Sequence, residues 1–569
     1  MGSVFFLSIR RLRAPLIFLI VSFAVSTAGF ALIPGVYPDG RPWHPTIFEA
    51  FYFVTYTATT IGFGELPYPF TNPQRMWVTV IVYLSVLGWA YLLGSLLALI
   101  GDKGFQSALV TARFARSVRN LREPFYLLCG LGETGQLVAA ALDRMGQRFV
   151  AIDADEARVT DLDIGDYATD PPALAADVTS PETLQRAGLA KRECIGVLAL
   201  LPDDRANLAI AVAARLLHPG MRTIARAHTP HTMLALETCG VTEIINPYHE
   251  FAERLAIALR APDTHRLLSW LAGPRGGRLS PRIPTPPGHW IVCGYGRFGT
   301  VVVRTLRDAG YDVTVVDPDE PPAPGLEIVH GLGSDRDSLV AAGVEQAEGI
   351  VAASDDDTAN LAMAMAARQL KPGIFVIQRQ NRMQNRSLFE AFAAEMTMVP
   401  SEIIANECVA SLRARHLTRF LALAHARDNA WAAALADRLE RVVGAEAPEF
   451  WHAIVGRRDA PGLLDAMARP GRAPALGDLL RDPADRSRPL PGVALLLVRP
   501  GGLADCPDEG TELRAGDEIL FAGRDWARRA MRETLLNANT AGYVLTGREP
   551  RTLIGRLVDR REPAPGGAA

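Results

Sequence analysis

Three short segments of this 569-residue chain hold the residues whose types and spacing could do chemistry. Gly130-Leu131-Gly132-Glu133-Thr134-Gly135 follows the apolar run Phe125–Cys129 and opens a helical stretch; the next apolar run, Arg148–Asp153, ends on a carboxylate 23 residues after the first glycine. In that context the glycines allow a tight turn and close approach of a phosphate. A helix N-terminus beginning at Glu133 and Thr134 favours the anion, and Asp153 can accept from a ribose hydroxyl. Gly294-Tyr295-Gly296-Arg297-Phe298-Gly299 repeats the pattern behind Trp290–Cys293, with Asp317 at the same spacing. The third segment is Thr60-Ile61-Gly62-Phe63-Gly64. Its two glycines permit backbone in which successive carbonyls point one way. Four copies about an axis would stack carbonyl rings able to replace the water shell of K⁺, with the Thr60 hydroxyl adding one more.

The elements that must position these segments are of two kinds. Ala14–Ile33 and Met76–Ile100 are uncharged apolar runs of about the 20 residues a bilayer core needs. Between them, Thr46–Thr59 is apolar, aromatic and too short to span, which predicts a re-entrant helix aiming its negative end at the Thr60–Gly64 path. Arg10, Arg11 and Arg13 precede the first run, and Lys103, Arg113, Arg116, Arg119 and Arg122 follow the second. That bias puts both ends in the cytoplasm and 34–75 outside. No helix with Arg at every third position precedes the pore, so charge-movement voltage sensing has no carrier. Beyond residue 124 short apolar strands alternate with Ala/Leu-rich helices, an α/β pattern. Asp204-Arg205-Ala206-Asn207-Leu208-Ala209 matches Asp357-Thr358-Ala359-Asn360-Leu361-Ala362, so the α/β unit is duplicated, with a Pro/Gly-rich boundary at 273–288. The net charge of −3 gives no electrostatic footprint for nucleic acid. The six cysteines form no CxxC pair and no metal spacing, and they read as small buried hydrophobes.

Thr59-Thr60-Ile61-Gly62-Phe63-Gly64 resembles the potassium-channel signature T-T-V-G-Y-G, with Ile for Val and Phe for Tyr; Glu65 stands where most members carry Asp. Two Rossmann-like units behind a two-span pore resemble the RCK domains, regulators of K⁺ conductance in bacterial channels and uptake systems. The resemblance implies a membrane α-helical pore followed by two α/β RCK domains and an α+β C-lobe. Its expected domains are a pore over 1–101, a linker over 102–124 and a first RCK domain over 125–272. After a linker at 273–288 come a second N-lobe over 289–400, a helical crossover and C-lobe over 401–540, and a tail over 541–569. The resemblance further implies a homotetramer in the bacterial inner membrane with cytoplasmic RCK units. K⁺ would lie on carbonyls of Thr60, Ile61, Gly62 and Phe63, and NAD or another adenine nucleotide would act as gating ligand. Ala176-Asp177-Val178-Thr179 is similar to the family segment whose Asp faces the adenosine half, and Arg226 to its strand-borne Arg near the phosphates. Gly331-Leu332-Gly333-Ser334 lacks that Asp, though Arg379 matches Arg226, so the first crevice ranks above the second for a nucleotide. Gly88 sits where the family's inner-helix hinge falls, with Gly94 as rival and helix packing as the plainer role.

Calcium is a further ligand in the family. Its glutamate pair is not carried over: Ala227-His228 and Gln380-Asn381 stand there. The acidic runs Asp203-Asp204 and Asp355-Asp356-Asp357 suit helix caps better than a calcium shell. The alternative class is a membrane-anchored NAD-dependent oxidoreductase with His228, His231 or His249 as acid or base, and no Tyr-x-x-x-Lys arrangement supports it.

Overall fold

The computed structural model describes residues 2–64, 68–273, 277–279, 286–319, 325–413, 415–468, 473–499 and 501–547. Glu65, most of the 273–288 linker and all of the tail beyond 547 lie outside the described residues. The chain divides into two compact units: residues up to Glu123 with the short pieces Pro172–Ala175 and Gln185–Gly188, and the remainder.

In the first unit, α1 (Gly2–Leu32) and α3 (Asn72–Ile100) pack along each other. Both are long and apolar enough to cross a membrane. The helix expected between them is α2 (Ile47–Ala58). It starts at Thr46, whose hydroxyl accepts from the Glu49 amide while the Glu49 carboxylate accepts from the Thr46 amide, a capping box that fixes its first turn. Phe30, Phe53 and Tyr56 clamp α2 against both spans, with Phe30 stacked on Phe53 at 4.5 Å. The stretch read as linker holds another helix, α4 (Lys103–Asn120), capped by Asp102 on the Phe105 amide.

Beyond Glu123 the chain forms two six-stranded sheets of the same order. The first runs Ala173–Ala175, Arg148–Asp153, Phe125–Cys129, Cys194–Ala199, Thr223–Arg226, Glu243–Ile245. The second, parallel throughout, runs Glu327–Val329, Asp312–Val316, His289–Cys293, Gly349–Ala352, Phe375–Arg379, Met396–Met398. This is the doubly wound arrangement, with the glycine loop at the point where strand order reverses. The duplication extends to side chains: fully buried Asn207 donates to the carbonyls of Leu201 and Arg226, and fully buried Asn360 to those of Ser354 and Arg379.

A four-stranded antiparallel sheet follows, ordered Glu449–Ile454, Glu518–Gly523, Gly492–Arg499, Gly502–Asp505. This sheet lies within the stretch read as crossover and C-lobe, and a helix from the far side of the 273–288 linker packs with it. Helix Pro262–Ala272, assigned to the first domain, buries Leu267, Trp270 and Leu271 with Phe420, Leu435, Leu439 and Leu495 of the C-lobe. Asn429 fixes its start, accepting from the amides of Asp263 and Thr264. The reason is simple area: one antiparallel face needs a helical cover, and this amphipathic helix supplies part of it.

A cavity of about 400 Å³ beside this crossover is lined by Glu243, Glu250, Glu253, His265, Glu407 and His425, among others. Burial, then repulsion from Glu407 and Glu253, lifts the Glu250 carboxyl to about 7. A carboxyl raised on folding binds more protons in the folded than in the unfolded chain between pH 4.5 and 7, so stability from this group falls as pH rises through that window. Glu250→Gln is therefore expected to raise the melting temperature at pH 8, by the equivalent of about 2 kcal/mol, with the gain vanishing by pH 4. Thermal melts of both proteins across that range check it.

Candidate functional site: a carbonyl strand and two glycine-loop crevices

The backbone after α2 has a two-residue alternation. Thr60, Gly62 and Gly64 have φ of 61°, 65° and 70°, all left-handed. The amides of Ile61 and Gly62 both donate to the Tyr56 carbonyl, at 3.0 and 3.3 Å, and the Thr60 amide donates to Thr57. The N–H groups of Thr60, Ile61 and Gly62 thus turn back into the C-terminal end of α2, and among the described residues no backbone amide donates to the carbonyls of 60–64. A Cβ at Gly62 or Gly64 would touch nothing within 4 Å, so these glycines serve conformation rather than space. Gly88 is different: a Cβ there would lie 3.2 Å from Leu19 Cδ1, so it packs α3 on α1, while a Cβ at Gly94 meets nothing. Helix α3 runs unbroken through both.

The crevices show why each loop glycine is needed. Gly130 and Gly294 turn with φ of 100° and 98°. A Cβ on Gly135 or Gly299 would stand 1.9 Å from the carbonyl oxygen of Gly130 or Gly294, so only glycine lets helix and strand close together. A Cβ on Gly296 would meet nothing within 4 Å, and its position is open to a ligand.

The two acids that end the second strands differ. Asp153 is 2% exposed; it accepts from the Leu131 amide at 2.5 Å and the Asp155 amide at 2.8 Å, and pairs with Arg158 at 3.4 Å. Asp317 accepts from the amides of Tyr295 and Asp319 and is half-buried on the wall of a cavity of about 560 Å³. Gly294, Gly296, Arg297, Ser334, Asp355 and Arg379 also line that cavity. Arg158 Nη1 thus stands beside the first acid, while the second acid lines this open cavity. Asp177 is exposed and accepts from the amide and hydroxyl of Thr179, which lowers its pKa.

Sequence reasoning missed what joins the two doubly wound sheets within the second compact unit. Tyr248, at the start of helix Pro247–Arg260, is buried against Phe298 of the second glycine-loop helix, and Arg379 lies over its ring at 5.3 Å. Arg297 stands over the same ring at 6.0 Å. Arg226 donates to His228 Nε2 at 3.0 Å, and His228 Nδ1 lies 2.8 Å from Asp204 Oδ1. Accepting from a guanidinium requires a neutral ring with its proton on Nδ1, and burial followed by Arg226 holds the His228 pKa below its ordinary value. Burial also pulls the Arg226 and Arg379 pKa values down. In the other direction Glu133, on the first glycine loop, accepts from the Met383 amide, which follows a strand of the second sheet, at 2.9 Å. No local pattern marks Tyr248 or Met383; each matters through a neighbour over a hundred residues away.

The acidic runs are occupied. Asp203 caps the Arg205 amide, Asp356 that of Ala359, and Asp357 accepts from Asn381, Arg382 and Asn385. Among the described residues no group of three or more His, Cys, Asp or Glu is arranged to hold a metal ion. His228 has both ring nitrogens engaged, which leaves no free base there for hydride chemistry.

An ion-channel family model matches residues 17–101, and the TrkA-N domain model matches twice, at 126–247 and 290–400. The chain joins an ion-channel domain to two TrkA-N domains. With two apolar helices in the channel domain, it is a membrane protein. It is 26% identical to "Potassium channel protein 1" of Methanocaldococcus jannaschii over 203 residues, which are 35% of this chain and 59% of that one. It is 28% identical to "Probable potassium channel protein 2" of the same organism over 207 residues, 35% of this chain and 57% of the relative. The chain thus spans less than two thirds of the length of these relatives. A solved structure described as "GsuK channel bound to NAD" is 15% identical with a TM-score of 0.46, covering 93% of this chain and 99% of that one. The two glycine loops described above each open a TrkA-N domain.

Proposed function

We propose that this chain is the subunit of a homotetrameric, potassium-selective channel of the bacterial inner membrane whose conduction is gated by an adenine nucleotide on its cytoplasmic TrkA-N domains. The observation that carries the pore is the Thr60–Gly64 segment, with alternate left-handed residues and its first three amides turned into α2. One strand cannot surround an ion, whereas four about an axis would supply the rings that replace water around K⁺. The potassium assignment of the archaeal relatives points the same way. Nucleotide binding is supported by the two loop geometries and by the second-domain cavity, where Gly296 leaves room for phosphate while Arg297 and Arg379 supply charge. Asp317 would accept from a ribose hydroxyl there, and Asp153 with Asp177 would do so in the first domain. A ligand that binds two ring states unequally shifts the population between them, and Gly88 on α3 is the proposed point of bending.

Reconstituted protein in liposomes should pass K⁺ over Na⁺, with flux changing on titration by NAD⁺, NADH, ADP or ATP. Arg379→Ala should move the nucleotide dose-response to about tenfold or more higher concentration without altering conductance, the scale of a hydrogen bond to a charged group. Absent K⁺ flux sinks the pore; flux indifferent to every nucleotide sinks the gating. Hydride turnover without flux would instead favour the oxidoreductase.

A further inference from the structure

Helix α4 begins directly after α3. The Gln106 side chain donates through Nε2 to the Ile100 carbonyl at 2.8 Å and Asp102 caps the Phe105 amide, so the junction is fixed, and α4 also lies against α1. From Lys103 to Arg122 the chain carries five cations and no carboxylate. All five, Lys103, Arg113, Arg116, Arg119 and Arg122, are exposed. Phe114 and Val118 are buried at 4% and 2%, and at 100° per residue Arg113, Arg116 and Arg119 fall on the opposite side of the helix. Phe105 and Leu109 share that side one to three turns nearer the end of α3. Arg13, at the same end of the α1 span, is exposed as well.

Setting topology needs cations only somewhere in the cytoplasmic segment. It does not need three of them aligned on one exposed helical face that also carries two apolar residues, an arrangement that offers an anionic headgroup both charge and apolar contact. We propose that this face of α4 is a docking surface for the anionic phospholipid headgroups of the inner leaflet, with the apolar pair at the acyl boundary and the arginines on phosphates. The proposal rests on the membrane reading above. Arginine suits the task because its planar fork bonds phosphate oxygens two at a time. The leaflet's negative potential reaches about a Debye length, so the contact is short-ranged and weakened by salt.

The test measures lipid retained by the full-length protein purified from mixed micelles of phosphatidylglycerol and phosphatidylcholine. The protein should hold phosphatidylglycerol preferentially at low salt and lose it at high salt. R113Q/R116Q/R119Q should lower the preference at least about tenfold, since each cation near such a surface contributes roughly fivefold. R113K/R116K/R119K should keep most of it, and soluble glycerol phosphate should not displace the lipid. A glutamine variant that retains lipid like the parent, or a preference indifferent to salt, overturns the proposal. Retention decides the docking surface whether or not K⁺ flux is observed, and failure of flux bears on the pore alone.

Discussion

Gly62→Ala is expected to assemble as the parent does and to lose the proposed K⁺ conduction. At φ of 65° an L-residue pays about 1–2 kcal/mol, and the strand can escape that cost by rotating the peptide. Rotation breaks the amide's bond to the Tyr56 carbonyl and swings a coordinating oxygen off its direction, at four positions in the proposed tetramer. Nothing stands within 4 Å of the new Cβ, so neither packing nor assembly should suffer. Gly94→Ala is the matched control: also open space, but helical backbone, where alanine is favoured by about 1 kcal/mol. Liposome flux with gel-filtration size checks both. A Gly62→Ala protein with unchanged K⁺ over Na⁺ permeation would remove the filter assignment.

Gly299→Ala should cost the second TrkA-N domain its fold, whereas Gly296→Ala should cost it only its ligand. The first substitution drives a methyl to 1.9 Å from the Gly294 carbonyl oxygen, a backbone atom that no side-chain rotation can move. Overpacking of that kind costs about 3 kcal/mol or more, enough to melt a marginal domain near room temperature. The second places a methyl in open space where a phosphate would approach, so thermal stability should hold while nucleotide affinity falls at least about tenfold. Differential scanning fluorimetry with and without nucleotide separates the two. Equal melting temperatures for the two variants would show that the third glycine does not set the helix–strand approach.

Both substitutions rest on residues legible in the chain, because what they report is local. A glycine at a left-handed turn, an apolar run of span length and a helix cap all act within a few residues. So the spans, the short helix between them, both doubly wound units and the roles of the loop glycines follow from spacing alone. The duplication is equally local in its signature, and Asn207 and Asn360 make the same bonds because the repeat preserved them.

What the tertiary structure decided lies where two distant segments meet. The sequence gives Asp153 and Asp317 one spacing and one role. Yet Arg158 stands beside the first while the second lines a cavity, a difference of side-chain placement that spacing does not encode. The end of the first domain shows the same limit. Helix Pro262–Ala272 is amphipathic on any reading, but only the packed C-lobe shows that its apolar stripe belongs with Phe420 and Leu435. Tyr248 sits beside Arg379, and Glu133 reaches Met383, because each glycine-loop helix is covered by elements of the other unit. A residue's type and neighbours determine its local conformation; which of the many compatible surfaces it buries against is chosen by the collective gain of the packed core, and no single stretch of chain carries that choice.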